Sequence, residues 1–140
     1  MIDCFDGMPI CWSVGTVPDA SLVNGMLDEA ISQLKEDEHP IIHTDRGCHY
    51  RWPGWINRMN AAQLTRSMSK KGCSPDNSAC EGFFGRMKNE MFYGYEKEYT
   101  SFEVFAQAVE EYINYYNNER IQAKTKWMSP VKYRETSMCA

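Results

Sequence analysis

Two carboxylates raise the functional question in this chain of 140 residues. Asp45 stands in PIIHTDRGCHY, just after the apolar run Pro40-Ile41-Ile42, and Glu81 stands in SPDNSACEGFFGRMKNE, with 35 residues between the two. An acid at the carboxyl end of a strand and an acid on a helix are hard oxygen donors of the kind Mg²⁺ and Mn²⁺ take. Two such ions, held by carboxylates from separate elements, can activate an attacking oxygen and stabilise a leaving one in phosphodiester chemistry. Each acid also has a plainer reading. Asp45 can open a turn into Gly47 by bonding nearby backbone N–H groups, and Glu81 can sit on a solvated helix face where it meets Lys88 or water.

The elements that must position these acids follow from hydrophobic spacing and turn signals. Met1 to Phe5 and Pro9 to Gly15 read as the strands of a hairpin around Asp6-Gly7. Asp19 is a candidate N-cap for a helix over Ala20 to Leu34, where Leu22, Val23, Met26, Leu27, Ala30, Ile31 and Leu34 recur at helical spacing. Ile41 to Thr44 suits a strand in the interior of a sheet. Pro53 to Ala61 predicts a helix and Gln63 to Met68 another strand. A loop through Pro75 leads to Asp76, expected to cap a long helix running to about Tyr93. The next helix, Ser101 to about Asn118, carries Phe105, Val109, Tyr112, Ile113 and Tyr116 on one stripe. The tail through Met128-Ser129-Pro130 and Tyr133 is expected to wrap the body. This order describes an α/β domain with a mixed sheet, and the chain length allows one domain rather than two.

Glu81 shares its helix face with Phe84, Gly85 and Lys88, at offsets of three, four and seven. A mid-helix glycine is unfavourable by about 1 kcal/mol relative to alanine, and its presence between an acid and a lysine would let a bulky partner approach the backbone.

Composition narrows the classes further. Six cysteines stand at irregular spacings with no Cys-x-x-Cys pair, so free thiols are expected and a zinc site is not. Cys4, Cys11 and Cys80 lie among apolar residues and read as core, as do Trp12, Trp52, Trp55 and Trp127 in whole or in part. No apolar run approaches a membrane span and no basic leader is seen, so a cytoplasmic location without a membrane partner is the default expectation. The net charge is -4, unevenly spread. From Asp45 to Lys71 six bases face a single acid, and from Asp28 to Glu38 five acids face a single base. The basic tract is either a solvated face or a place for a polyanion. His43 shares the strand face of Asp45 and reads as a hydrogen-bonding scaffold; His49 and Tyr50 read as loop residues that a bound polyanion could brush, and Asn77 as helix-start chemistry first and a polyanion contact second.

The flanks HTDRGCHY and SMSKKGCSPDNSACEGFFGRMKNE resemble the catalytic-core motifs of insertion-sequence transposases of the IS-three group, relatives of retroviral integrases. The resemblance continues through EEYINYYNNERIQAKTKWMSPVKYRE and begins with MIDCFDGMPICWSVG, so it covers nearly the whole chain. It implies a ribonuclease-H-like mixed sheet flanked by helices, in which an Asp-Asp-Glu triad binds two Mg²⁺ or Mn²⁺ ions, cuts transposon ends and joins them to target DNA. Asp45 matches the second Asp and Glu81 the Glu, as catalytic and metal-binding residues. Lys70 and Lys71 match the loop before the catalytic helix, and Lys88 matches a position that meets the transposon end; Arg86 joins them as a DNA-binding candidate.

The family's first Asp belongs to a Trp-x-x-Asp-Ile-Thr-like motif, and this chain has none. Asp3 and Asp6 match the strand and turn after it, where the family places no metal ligand. The resemblance thus implies a partial core over residues 1–140, lacking the first strand and first catalytic Asp, with metal binding weak or absent. An exposed sheet edge would favour self-association or pairing with a full-length transposase. The alternative is a non-catalytic DNA-binding or transposase-pairing remnant; a stand-alone ribonuclease is disfavoured by the transposase-like tail.

Overall fold

The computed structural model describes residues 1–70 and 77–139. They fall into two compact units, one made of Met1 and Cys11–Ser78, the other of Ile2–Ile10 and Ala79–Ala140.

The first unit is built around a strand-helix-strand segment. Helix α1 (Ala20–Ser32) starts where Asp19 accepts a bond from the Leu22 N–H, the cap expected of an acid before an apolar-periodic run. It stops two residues earlier than the spacing of Leu34 implies, with Gln33 as its C-cap. Strand β1 (Ile41–Thr44) leads through a 3₁₀ turn (Cys48–Arg51) to helix α2 (Pro53–Ala61), which has Pro53 in its first turn, and on to β2 (Thr65–Met68). β1 and β2 pair in parallel, Ile41 opposite Thr65 through Thr44 opposite Met68. Such pairing needs a crossover, and α2 supplies it.

Leu27, Ile42, Trp55, Met59 and Leu64 form this unit's core, with Val23, Ile31, Leu34 and Tyr50 packed against it. Full burial of side chains this size stabilises by about 1.5–3 kcal/mol each. Only one face of β1 is covered: Ile42 is buried, but Ile41 is 69% exposed. The expected interior strand is therefore half-solvated, because among the described residues β2 is its partner and helices pack on one side only. Tyr50 lies in the 3₁₀ turn that joins β1 to α2, and its ring meets Trp55 edge-on at 4.9 Å.

The second unit holds α3 (Ser78–Met87), which widens into a π turn over Lys88–Phe92 and so continues to about the expected end. It then holds a 3₁₀ turn (Glu96–Glu98), α4 (Phe102–Asn118), a second 3₁₀ turn (Ala123–Thr125) and α5 (Pro130–Met138). Ser101 caps α4 by accepting from the Val104 N–H. Of the apolar stripe, Val109, Tyr112, Ile113 and Tyr116 are buried, and Phe83 of α3 meets Tyr116 edge-on at 5.0 Å. The tail is a helix, α5, capped by Ser129 and packed against α4.

Three expectations change here. The hairpin strands reduce to one antiparallel bridge, Ile2 to Pro9. The Asp3 N–H bonds Met8 O and the Gly7 N–H bonds Asp3 O, closing a tight turn with Gly7 at φ +80°, and from Cys11 onward the chain belongs to the first unit. An isolated two-stranded ribbon is marginal by itself, which is why the pairing does not extend. Cys4 sits in that turn and is exposed, and Cys80 is half-buried, whereas Cys11 is fully buried and burial pushes its thiol pKa up. Trp127 is 70% exposed and Trp52 39% exposed, leaving Trp55 as the buried tryptophan of the core. The expected cap Asp76 and the loop through Pro75 lie outside the described residues. No helix among the described residues is long and apolar enough to cross a membrane.

Candidate active site

Asp45 directly follows β1, and its carboxylate is aimed by an Asx turn in which Oδ1 accepts from the Gly47 N–H at 2.7 Å. Gly47 has an ordinary φ of -52°, so conformation does not demand glycine there. Space does. A Cβ would stand 2.9 Å from Asp45 Oδ1 and 3.3 Å from the Tyr50 ring. The turn reading and the ligand reading of Asp45 are thus compatible: one oxygen is held by the turn, and the side chain remains exposed without an ion pair among the described residues.

His43, two residues earlier on the same strand face, ties the strand ends together. Its Nδ1 lies 2.8 Å from Ser67 Oγ and its Nε2 3.0 Å from Ser69 Oγ. The Ser69 N–H extends the ladder to Thr44 O at 3.0 Å. With both ring nitrogens engaged, His43 is a scaffold for the end of the strand pair, as its position beside Asp45 predicted. His49 stacks edge-on against Trp52 at 4.6 Å.

Glu81 lies in the first turn of α3, exposed, with no hydrogen bond or ion pair among the described residues. Phe84, Gly85 and Lys88 on its face are exposed as well, and a Cβ on Gly85 would meet nothing within 4 Å. Packing among the described residues gives no reason for that glycine. Arg86 is exposed on the same helix, and Lys88 begins the π turn, whose wider ring is closed by the Tyr93 N–H to Lys88 O. Single π turns interrupting helices recur at functional sites. Lys70 follows β2 and Ser69 and is exposed; Lys71 lies outside the described residues.

Asp45 belongs to the first unit and Glu81 to the second. Among the described residues no three His, Cys, Asp or Glu side chains come together as a metal-holding set. Each of the two carboxylates nevertheless has the chemistry of a single hard-cation ligand: an exposed carboxylate oxygen donor in no ion pair among the described residues. The other acids near the start of the chain do not. Arg134 Nε donates to Asp6 Oδ2 at 2.6 Å and its Nη2 to Asp3 Oδ2 at 2.8 Å, and Asp6, wholly buried, also accepts from the Met8 N–H. That pairing raises the Arg134 pKa, chiefly through Asp6.

Sequence reading missed this clamp and a second one. Glu90 receives Arg120 as a two-pronged partner and the Tyr112 hydroxyl at 2.9 Å, while the guanidinium of Arg120 lies 5.7 Å from the Tyr116 ring centre. Arg120 holds the Glu90 carboxyl below the usual carboxylate range, and burial followed by the bond to Glu90 pushes the Tyr112 hydroxyl up. The partners lie 22 to 131 positions apart, so no local spacing could signal them. In the basic tract, Arg58 is used by Asp28 at 2.7 Å and Arg66 by Tyr50 O at 3.1 Å, while Arg46 and Arg51 are exposed without an ion pair among the described residues.

Comparison with known proteins agrees with this architecture. The bovine immunodeficiency virus integrase catalytic core superposes with a TM-score of 0.68 over 99% of this chain and 85% of that one, at 14% identity, which identifies a ribonuclease-H-like fold. The chain is 54% identical over 134 residues to a probable transposase for insertion sequence element IS1353 from Shigella flexneri, covering 96% of this chain and 26% of that one. It is 40% identical to a transposase-like protein of Haemophilus influenzae, over 97% of this chain and 62% of that one. It is 39% identical to the putative transposase InsK for IS150 of Escherichia coli, over 96% of this chain and 47% of that one. The chain thus spans between about a quarter and somewhat under two thirds of these relatives' lengths. Residues 1–74 and residues 81–138 each match the integrase core domain, and the chain belongs to that family.

Proposed function

We propose that this chain is a catalytic-core segment of an insertion-sequence transposase, acting in DNA transposition through metal-dependent phosphodiester cleavage and strand transfer. The observation that carries the proposal is the contrast among its acids. Asp45 and Glu81 are exposed and form no ion pair among the described residues, one aimed by the Gly47 N–H and the other on an open helix face, whereas Asp3 and Asp6 are taken up by Arg134. Asp45 and Glu81 are the proposed ligands of Mg²⁺ or Mn²⁺. When bound, such an ion supplies charge neutralisation at the phosphate and a more acidic attacking water or hydroxyl. Lys70, Lys71, Arg86 and Lys88 would contribute phosphate contacts, and His43 would hold the strand end that carries Asp45.

With two candidate carboxylates, this chain alone should hold Mg²⁺ no more tightly than on the order of millimolar, because fewer anionic ligands bind the ion more weakly. Strand transfer by the isolated chain is expected to be absent. Mn²⁺ titration followed by paramagnetic line broadening tests the ligand assignment. Broadening should centre on the amides around Asp45 and Glu81 and fade in Glu81→Gln. Broadening confined to other acids would remove the assignment, and robust Mg²⁺-dependent cleavage of the matching inverted-repeat DNA, lost in Glu81→Gln, would overturn the expectation of inactivity.

A further inference from the structure

The loop between α4 and α5 combines three properties. From Arg120 to Arg134 the chain carries five bases and no acid. Arg120 and Arg134 are spent on Glu90 and on Asp3 and Asp6, but Lys124, Lys126 and Lys132 are exposed and form no ion pair among the described residues.

The second property is backbone strain. Lys126 has φ 53° and ψ 41°, and Trp127 follows at φ 62°. A left-handed conformation is uncommon outside glycine and is an outlier for a bulky side chain. Gln63, also at positive φ, has an internal reason: it ends α2, with the Leu64 N–H returning to Met59 O. The loop is likewise closed by backbone bonds, since the Trp127 N–H reaches Gln122 O and Gln122 bridges Met128, with Thr125 buried beneath. Glycine would make the same turn without strain. The third property is that Trp127 is 70% exposed and engages no other aromatic ring among the described residues, so packing does not offset the strain. Strained residues retained on a rigid, exposed loop point outward, to function.

We propose that this loop is a second nucleic-acid contact, in which the Trp127 ring stacks on an unpaired base while Lys124, Lys126 and Lys132 follow the phosphates on either side. Sequence-tolerant binding of single strands needs these two ingredients, a cationic track and an exposed aromatic face. The occupant follows from charge: three lysines that form no ion pair among the described residues, on a stretch without an acid, suit a polyanion. The inference rests on the DNA reading above but not on its metal chemistry, so it is tested with metal removed.

Binding of an unstructured oligothymidylate and of a hairpin duplex is measured by fluorescence anisotropy in EDTA, across a range of salt, for the whole chain. Trp127→Ala should weaken single-strand binding about 5- to 150-fold, the range for loss of one stacked base, and affect the duplex far less. Trp127→Phe should keep most of the affinity. Trp127→Gly relieves the left-handed strain, so it should bind as weakly as Trp127→Ala while unfolding at a higher temperature, which separates loss of the ring from loss of the fold. Replacing Lys126 and Lys132 by Ala should lower the salt slope by about 0.7 for each phosphate that is no longer neutralised. Unchanged single-strand affinity in Trp127→Ala overturns the proposal. So does a change confined to self-association in sedimentation, which would make the loop a protein contact. If single-strand binding behaves as stated while Mn²⁺ ignores Asp45 and Glu81, the catalytic reading fails and this one stands.

Discussion

Arg134→Met is the most informative single change for the architecture of the second unit. Asp6 is wholly buried, with Arg134 Nε at 2.6 Å from Oδ2, and Met retains most of the arginine stem while deleting its charge. Breaking a buried pair by removing one partner typically destabilises by about 3–5 kcal/mol, because the remaining charge is left without compensation. The Arg134 side chain is 24% exposed and Asp3 39%, so water can reach part of the vacated space and the lower end, about 3 kcal/mol, applies. With a urea dependence of about 2 kcal/mol per molar for a protein of this size, the unfolding midpoint should fall by about 1.5 M. Circular dichroism in urea at pH 7 measures it. Adding Asp6→Asn to the Arg134→Met chain removes the stranded charge and should restore half of the loss or more. A midpoint shift below about 0.5 M, or no recovery in the double variant, would refute the claim that an ion pair anchors the amino-terminal turn to α5.

Gly47→Ala should displace the Asp45 carboxylate from the Gly47 N–H, since the short side chain yields more easily than the backbone, at a cost of about 1 kcal/mol in stability. Mn²⁺ broadening around Asp45 should drop with it, and undiminished broadening would show that the turn does not aim the ligand. Glu90 predicts an acid-sensitive contribution to stability. Its carboxyl is held below its ordinary value of 4.5, so the contribution is complete above that pH and is lost as pH falls through the lower folded value. The stability difference between wild type and Glu90→Gln should therefore shrink as pH falls below about 4.5, and a constant difference would exclude the linkage. Ser101→Ala removes the acceptor for the Val104 N–H and should lower stability by about 1 kcal/mol in a thermal melt.

Legibility from sequence followed the range of the interactions. The strand Ile41–Thr44 and helix Pro53–Ala61 lie where turn and periodicity signals put them, and Asp19 and Ser101 cap helices as their types and places imply. The stripe on α4 is buried because a 3.6-residue period has one physical solution, an apolar face against a core. His43 was readable as a scaffold from the alternation of a strand alone. The amino-terminal hairpin failed because alternation says that a segment can pair, not that it has neighbours enough to do so. The exposed Trp127 and Cys4 failed for a related reason: composition assigns burial by type, while a turn or a left-handed tip overrides it.

By itself, then, the sequence determined the local elements, the candidate acids Asp45 and Glu81 and the family likeness, because caps, periods and motifs act over a few residues. Tertiary structure alone decided which acids stay open. Arg134 closes on Asp3 and Asp6 from 131 and 128 positions away and Arg120 on Glu90 from 30, and such pairings exist only once the fold has brought the partners together. The same step left Lys126 and Trp127 on a strained, exposed loop, where no spacing rule would have placed a contact.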